Sequence, residues 1–451
     1  MALGKIISLF FNNKNKRSSM LHKNILYSAI LKIVGLSCSL LIVPVTLGYL
    51  NEEVYGIWLT MSSILYWFAF FDIGLGNGMR NYLTEAISQG DYSLARSYIS
   101  TTLILLAGLA VMIGLVVIIP LTAFDMNSLF NTTSISGTEL RKALAVAIAF
   151  TLALFIVKNI GYLFVALQKY AVNDFLSVSG SVLALLVIYV LTRTTTGNLM
   201  YVICAFTGIP VLFYVLAAVP IFHKYKNLRP SFRSFDLSLG KKIVGKGLGF
   251  FFIQITSCLV IYGSSNLFIT QYAGPKDVTT YNIAYKFFNL LAIAYTVVIS
   301  PMWNAYTDAY VKGDMAWIKS TFKRAIRMWG MTVLAGFIML TTCGLFYRLW
   351  VGQTIHVPFA LSMSVFFYIA MFNFNNCVTY LLNGLNKIRV QIYTSVIFTA
   401  IYIAFVLLEG KNIGTIGIVV GMAASYGLMA MIHFHQCRLL ISQQARGIWN
   451  K

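Results

Sequence analysis

The sequence predicts an all-α polytopic membrane protein, about twelve transmembrane helices in two similar six-helix bundles around a central cavity. Three observations predict it. Of 451 residues, 59% are hydrophobic and only 10% charged, where soluble domains carry roughly 25% Asp, Glu, Lys and Arg. The apolar residues gather into runs long enough to cross a bilayer, which takes about 20 residues in helical form. The basic residues lie between those runs, and a loop motif recurs half a chain apart.

The runs, in order, are Ile25 to Tyr49, Gly56 to Gly76, Tyr98 to Leu121, Lys142 to Leu167, Phe175 to Leu191 and Leu199 to Phe222. A second six follow: Gly247 to Tyr272, Tyr281 to Ala305, Met328 to Leu349, Pro358 to Leu382, Val390 to Leu408 and Ile413 to Leu440. Pro44, Pro210 and Pro301 fall within or near the ends of these runs and should kink them, because each removes a backbone hydrogen bond. The expected organisation is a segment 1–24, a first bundle 25–222, a basic linker 223–246, a second bundle 247–440 and a tail 441–451.

The formal charge of +21 does not mark a nucleic-acid protein, because the basic residues form no soluble basic face. They report topology instead. Alternate loops on the side of the N-terminus carry 25 Lys and Arg, and the opposite loops carry 6. That bias puts both termini in the cytoplasm. No loop is long enough for a folded external domain, and no cleavable signal peptide is evident. The six cysteines include no C-x-x-C pair, so disulfides, zinc and haem have no support. His433 and His435 are two apart and face different sides of a helix, a poor metal pair.

The repeat is the most informative feature. Asn81 to Ser97 reads NYLTEAISQGDYSLARS, and Asn304 to Ser320 reads NAYTDAYVKGDMAWIKS. At an offset of 223, Asn81, Thr84, Ala86, Gly90, Asp91 and Ser97 recur as Asn304, Thr307, Ala309, Gly313, Asp314 and Ser320. A second pair, Leu167-Gln168-Lys169 and Leu385-Asn386-Lys387, recurs at an offset of 218. Six spans separate the partners, so the halves run the same way through the membrane, as a parallel repeat. Two such bundles enclose a cavity that opens to either side by rocking.

An ionisable residue at the centre of a membrane helix costs about 2.5 to 3.5 kcal/mol on insertion scales, so those present call for a role. The candidates are Lys32, Asp72, Lys158 and Lys286, with Arg80 just beyond the second span. Lys32 and Lys286 lie near span ends, where a lysine can also snorkel to the headgroups. Lys158 is deeper. Asp72 can pair with Lys32, Lys158 or Arg80, or meet cargo or a proton. The excess is positive and suits an anionic cargo. Asn289, Asn373 and Asn376 can hydrogen-bond sugar hydroxyls or join helix to helix.

The run FFDIGLGNGMRNYLTEA, Phe70 to Ala86, preceded by LGYLNEEVYGIW, resembles the N-terminal signature of bacterial polysaccharide and O-antigen flippases, within the MATE-like multidrug/oligosaccharidyl-lipid/polysaccharide (MOP) superfamily. TTYNIAYKFFNL, Thr279 to Leu290, and YLLNGLNKIRVQ, Tyr380 to Gln391, resemble the second-half patterns. The signature covers Asp72, Gly74, Gly76, Asn77, Arg80 and Asn81. The resemblance implies a MATE-like transporter of the bacterial inner membrane that moves an undecaprenyl-diphosphate-linked oligosaccharide to the periplasmic leaflet. It implies as partners that anionic lipid, membrane lipids, a polysaccharide polymerase and chain-length regulators, with no cofactor and no nucleic acid. Coupling to protons or sodium is left open. Family lumens often use arginines, whereas this chain has lysines, which lack the bidentate fork. A MATE-type drug or metabolite antiporter and a membrane glycosyltransferase or polymerase are the rival readings.

Overall fold

The computed structural model describes residues 16–68, 75–245 and 263–450, and these residues are helical apart from short connections. The first half contains α1 (Lys16–Tyr49), α2 (Glu52–Phe68), α3 (Leu75–Ser88), α4 (Tyr92–Ala123), the short α5 (Met126–Phe130), α6 (Gly137–Val157), α7 (Asn159–Ala166) and α8 (Tyr170–Thr194). It continues through α9 (Leu199–Ile203), α10 (Ile209–Lys224) and α11 (Leu237–Gly245). The second half contains α12 (Ser265–Ala273), α13 (Pro275–Ile299), α14 (Met302–Val311), α15 (Met315–Val351), α16 (Phe359–Gly384) and α17 (Arg389–Ile441).

Nine segments among the described residues are long and apolar enough to cross a membrane. They account for ten of the expected spans, because α17 joins two of them across Gly414, whose φ of 56° and ψ of −163° break the helix. Residues 69–74 of the expected span 56–76, with the signature residues Asp72 and Gly74, and most of the expected span 247–272 lie outside the described residues. The helices divide at two of the three prolines expected to kink them. A π-helical turn, Cys204–Gly208, precedes Pro210 at the start of α10, and Pro301 separates α13 from α14. Pro44 lies inside α1.

The repeated loops share one backbone solution. Gly90 and Gly313 have φ of 77° and 74°, the left-handed conformation that ends a helix most easily at glycine. The next amide closes each turn, Asp91 N to Ala86 O at 3.0 Å and Asp314 N to Ala309 O at 2.9 Å. Each aspartate then caps the following helix, accepting from Leu94 N or Trp317 N at 2.9 Å. The other pair matches too. Gln168 and Asn386 have φ of 61° and 56°, and Lys169 N and Lys387 N close on Phe164 O and Leu382 O at 2.8 and 2.9 Å. Dihedrals and hydrogen bonds thus repeat at the sequence offsets.

Packing divides the chain into two units. One takes 1–51, 68–126 and 135–249; the other takes 52–67, 127–134 and 250–451. The second unit therefore holds α2, although α2 belongs to the first half by sequence. A polar seam fixes α2 there. Thr60 Oγ1 and Thr270 Oγ1 are 2.6 Å apart, Asn266 Nδ2 donates to Leu59 O at 3.2 Å, and Thr279 Oγ1 donates to Glu52 O at 2.7 Å. Gly56 permits the approach, since a Cβ there would stand 1.8 Å from the Pro275 carbonyl oxygen. The segment 127–134 joins the seam through Asn131 Nδ2 to Thr270 O at 3.0 Å and Gln271 Nε2 to Ser128 O at 3.0 Å.

Two carboxylates at the end of α2 respond to pH in opposite senses. Hydrogen bonds from Ser134 and Thr132 hold the Glu53 carboxyl below its ordinary 4.5. Burial raises that of Glu52, against the pull of Lys276. By linkage, the Glu53 contribution is complete above 4.5 and disappears as pH falls through its lower folded value, whereas protonating Glu52 relieves a cost. Glu53→Gln should lower the thermal midpoint at pH 7 by about 1–3 °C, a shift that shrinks at pH 4. Glu52→Gln should leave the midpoint unchanged or raise it.

Candidate functional site

In the second unit, α13 carries a polar stripe along an otherwise apolar span. Asn282, Tyr285, Lys286 and Asn289 recur at helical spacing on one face, and all are half-buried; that spacing aligns side chains in successive turns. The opposite face, with Ile283, Ala284, Phe287, Phe288 and Leu291, is buried in the unit. Further along the same helix, Val297 and Val298 are 70% and 46% exposed, the character of a lipid-facing surface. Two amides, a phenol and an ammonium in a row do not belong against acyl chains. They form a half-buried polar face that meets neighbouring helices of the unit.

Lys286 lies roughly 16 Å along the helix from Pro275, at 1.5 Å per residue, which places it deep in a span of Pro275–Val311. Its neighbours are ordered. The Tyr285 hydroxyl donates to Asn289 Oδ1 at 3.1 Å, and Asn282 Nδ2 donates to Asn266 Oδ1 at 2.8 Å. The Tyr285 ring stacks on Tyr281 at 5.9 Å and meets Tyr368 of α16 at 6.4 Å. Tyr368, Phe372 and Tyr426 continue the aromatic cluster, with centroids 5.3 to 6.3 Å apart. Asn376 follows Phe372 by one turn and is half-buried. Aromatic rings beside amides are what a sugar needs, a flat apolar face to stack on and donors and acceptors for its hydroxyls.

Asn373 lies deeper. It is 1% exposed and its Oδ1 has no hydrogen-bond partner, so it is buried in the core, about 60° round α16 from half-buried Asn376. Asn375 pairs with buried His433, whose Nδ1 is 3.1 Å from Asn375 Oδ1 and whose Nε2 is 2.8 Å from Thr394 Oγ1.

The first unit holds a second polar cluster at a helix break. α6 ends at Val157, α7 starts at Asn159, and Lys158 joins them, half-buried with its ammonium 5.5 Å from the Phe155 ring centroid. Asn159 is 1% exposed; its Nδ2 donates to Phe155 O at 2.9 Å and its Oδ1 is unpartnered. The signature glycine explains the approach. A Cβ on Gly76 would stand 2.3 Å from the Tyr162 ring and 2.6 Å from Asn159 Oδ1, and one on Gly161 would meet Asn173 Oδ1 at 2.0 Å. Tyr214 lies within electrostatic reach of Tyr162 and Asp174.

The expected site residues therefore separate into groups. Lys286 and Asn289 share the α13 stripe, and Asn376 lies on α16 one turn beyond Phe372 of the aromatic cluster. Lys158 sits at the first-unit break, Arg80 is half-buried on α3 with its guanidinium 3.4 Å from Asn81 Oδ1, and Lys32 is exposed near the start of the α1 span. Asn77 belongs to α3. Asn159, Asp174, Asn282 and the Tyr285–Tyr368–Phe372–Tyr426 cluster were not singled out from sequence. Asn282 was within reach, because it completes the stripe that Lys286 and Asn289 begin.

No family model matches the chain. Among curated proteins, one from Salmonella typhi named for O-antigen transport is 23% identical over 296 residues, covering 64% of this chain and 65% of its own length. One from Yersinia pseudotuberculosis named for O-antigen export is 21% identical and covers 88% of this chain and 90% of its own length. Among solved structures, the inward-facing conformation of a multidrug resistance MATE family transporter of the MOP superfamily aligns over 92% of this chain and 98% of its own, at 16% identity and a TM-score of 0.76. A MOP superfamily transporter from Pyrococcus furiosus, whose description reports a reverse-polarity binding pocket, aligns over 94% of this chain and 97% of its own at 18% identity and a TM-score of 0.61. The chain is thus a multi-pass membrane protein with the fold of these MATE transporters, similar in sequence to proteins named for O-antigen transport.

Proposed function

We propose that the protein is a flippase for an undecaprenyl-diphosphate-linked oligosaccharide, an O-antigen or similar repeat unit, carried from the cytoplasmic to the periplasmic leaflet by alternating access. The observation that carries this reading is the half-buried stripe of Asn282, Tyr285, Lys286 and Asn289 within an apolar span. Lys286 would neutralise the diphosphate as it leaves water. The amides and the aromatic cluster would hold the sugar. The names of the similar curated proteins and the MATE fold support the same class of transport.

The loop charges favour an orientation with both termini in the cytoplasm, in the inner membrane of a bacterium. A drug antiporter of this fold would need a carboxylate for a cationic cargo, and the described stripe presents an ammonium instead. Deleting the gene in a strain with a single exporter should make lipid-linked units accumulate on the inner leaflet and should remove surface polysaccharide. Unaltered surface polysaccharide in that strain would reject the flippase reading.

A further inference from the structure

The repeated loop after the fourth and tenth spans carries a lysine in each half, and the two lysines have different surroundings. Lys387, in the second unit, is capped: its Nζ donates to the Asn450 carbonyl at 2.8 Å. The tail that supplies this carbonyl is pinned by Gln436 Nε2, which donates to both Lys387 O and Trp449 O at 3.2 and 3.1 Å, and by the His435 ring against Trp449.

Lys169, its counterpart in the first unit, has no such cap among the described residues. Its ammonium lies 5.6 Å from the centroid of Tyr225, and the Lys224 ammonium lies 5.9 Å from the same ring. Two like charges share one aromatic ring. Among the described residues the one ion pair is Lys312 with Asp308, far along the chain, so neither ammonium has a carboxylate at bonding distance there. The nearest acids in sequence are engaged elsewhere. Asp236 binds Ser238 through its amide and hydroxyl at 2.8 and 2.6 Å, Asp91 caps α4, and Asp174 lies toward Tyr214.

The surroundings add to the positive potential and hold it in place. Lys169 is the N-cap of the 25-residue α8, whose first amides carry partial positive charge. The linker that follows Tyr225 is docked on α4. Leu228 is fully buried, Ser231 N donates to Ser100 Oγ at 3.0 Å and Asp236 N donates to Thr101 Oγ1 at 3.0 Å. Arg229 folds back on the Phe222 carbonyl at 2.8 Å. Beside this anchored backbone, Phe232 stands 88% exposed next to Arg233, as an aromatic residue does where protein meets a bilayer surface.

We infer that Lys169 and Lys224, whose ammoniums share the Tyr225 ring, bind a lipid-borne phosphate at the basic side of the membrane. In the second unit the corresponding lysine, Lys387, is taken by the tail carbonyl. A phosphate that reaches both ammoniums is held by two charge-assisted hydrogen bonds. Its source is either the diphosphate of the cargo, which rests on the flippase reading, or the headgroup of an anionic phospholipid. The chemistry is the same for both.

The test uses the full chain in phosphatidylcholine nanodiscs, with undecaprenyl diphosphate or phosphatidylglycerol added in turn and bound lipid counted by native mass spectrometry. The double variant Lys169→Gln/Lys224→Gln should lose about tenfold or more of the binding of the lipid that occupies the site, and Lys387→Gln should bind as the parent does. Loss for undecaprenyl diphosphate alone assigns the site to the cargo; equal loss for phosphatidylglycerol assigns it to the leaflet. Unchanged binding of both lipids by the double variant overturns the inference. A parent protein that binds in this way but flips nothing would count against the flippase and leave the site standing.

Discussion

Lys286→Gln should reduce transport of a diphosphate-linked oligosaccharide by about thirtyfold, while the variant inserts and accumulates as the parent does. Glutamine is one bond shorter than lysine but keeps a hydrogen-bond donor, so the main change is the loss of the charge. A hydrogen bond to a charged group contributes about 1.5–3 kcal/mol, and each 1.4 kcal/mol is a factor of ten. Lys286→Arg should recover a good part of the activity, because charge is what the diphosphate needs. The comparison is made on lipid-linked sugar reaching the outer leaflet, with membrane protein measured in the same cells. Parent-like transport by the glutamine variant would mean that the half-buried stripe of α13 does not meet the anion.

Gly56→Val should destabilise the second unit by about 3 kcal/mol or more, above the usual range for overpacking. The added Cβ would stand 1.8 Å from the Pro275 oxygen and 2.5 Å from its carbonyl carbon. These are backbone atoms at the start of α13 and cannot turn aside as a side chain can. α2 would have to withdraw, and the Thr60–Thr270 and Thr279–Glu52 hydrogen bonds are in the seam that would part. The thermal midpoint in detergent should fall by roughly 5–10 °C. Gly48→Ala is the control, since a Cβ there meets nothing within 4 Å. Equal midpoints for the two variants would contradict the packing of α2 described above.

Much of this architecture was legible because membranes simplify the code. Backbone groups in lipid must be satisfied within the helix, so apolar runs read directly as spans. The repeat was legible for a local reason. Gly90 and Gly313, and the capping Asp91 and Asp314, are chosen by the turn itself, so the residue identities survive where the helices around them have diverged.

The site was less legible. Asn373 and Asn376 are three residues apart, and nothing local says that the first enters the core while the second stays half-exposed. That distinction is made by which neighbour packs on which face of α16. The aromatic residues make up 15% of the chain, and most serve the interface or the core, so Tyr285, Tyr368, Phe372 and Tyr426 do not stand out. The place of α2 in the second unit was hidden for the same reason. Thr60 meets Thr270 across 210 residues, and hydropathy carries no record of such a contact. Beside Asn282, Asn159 is a second missed signal, an amide next to the Lys158 break and within reach of the signature Gly76.

The account depends most on what crosses the membrane. Purified protein in liposomes that hold an undecaprenyl-diphosphate-linked oligosaccharide on one leaflet measures this directly, with an impermeant glycosidase reporting sugar that reaches the other. Protein-dependent exposure of the sugar, reduced in Lys286→Gln, is the predicted result. Sugar that stays protected in vesicles whose protein moves an amphipathic cation instead would contradict it.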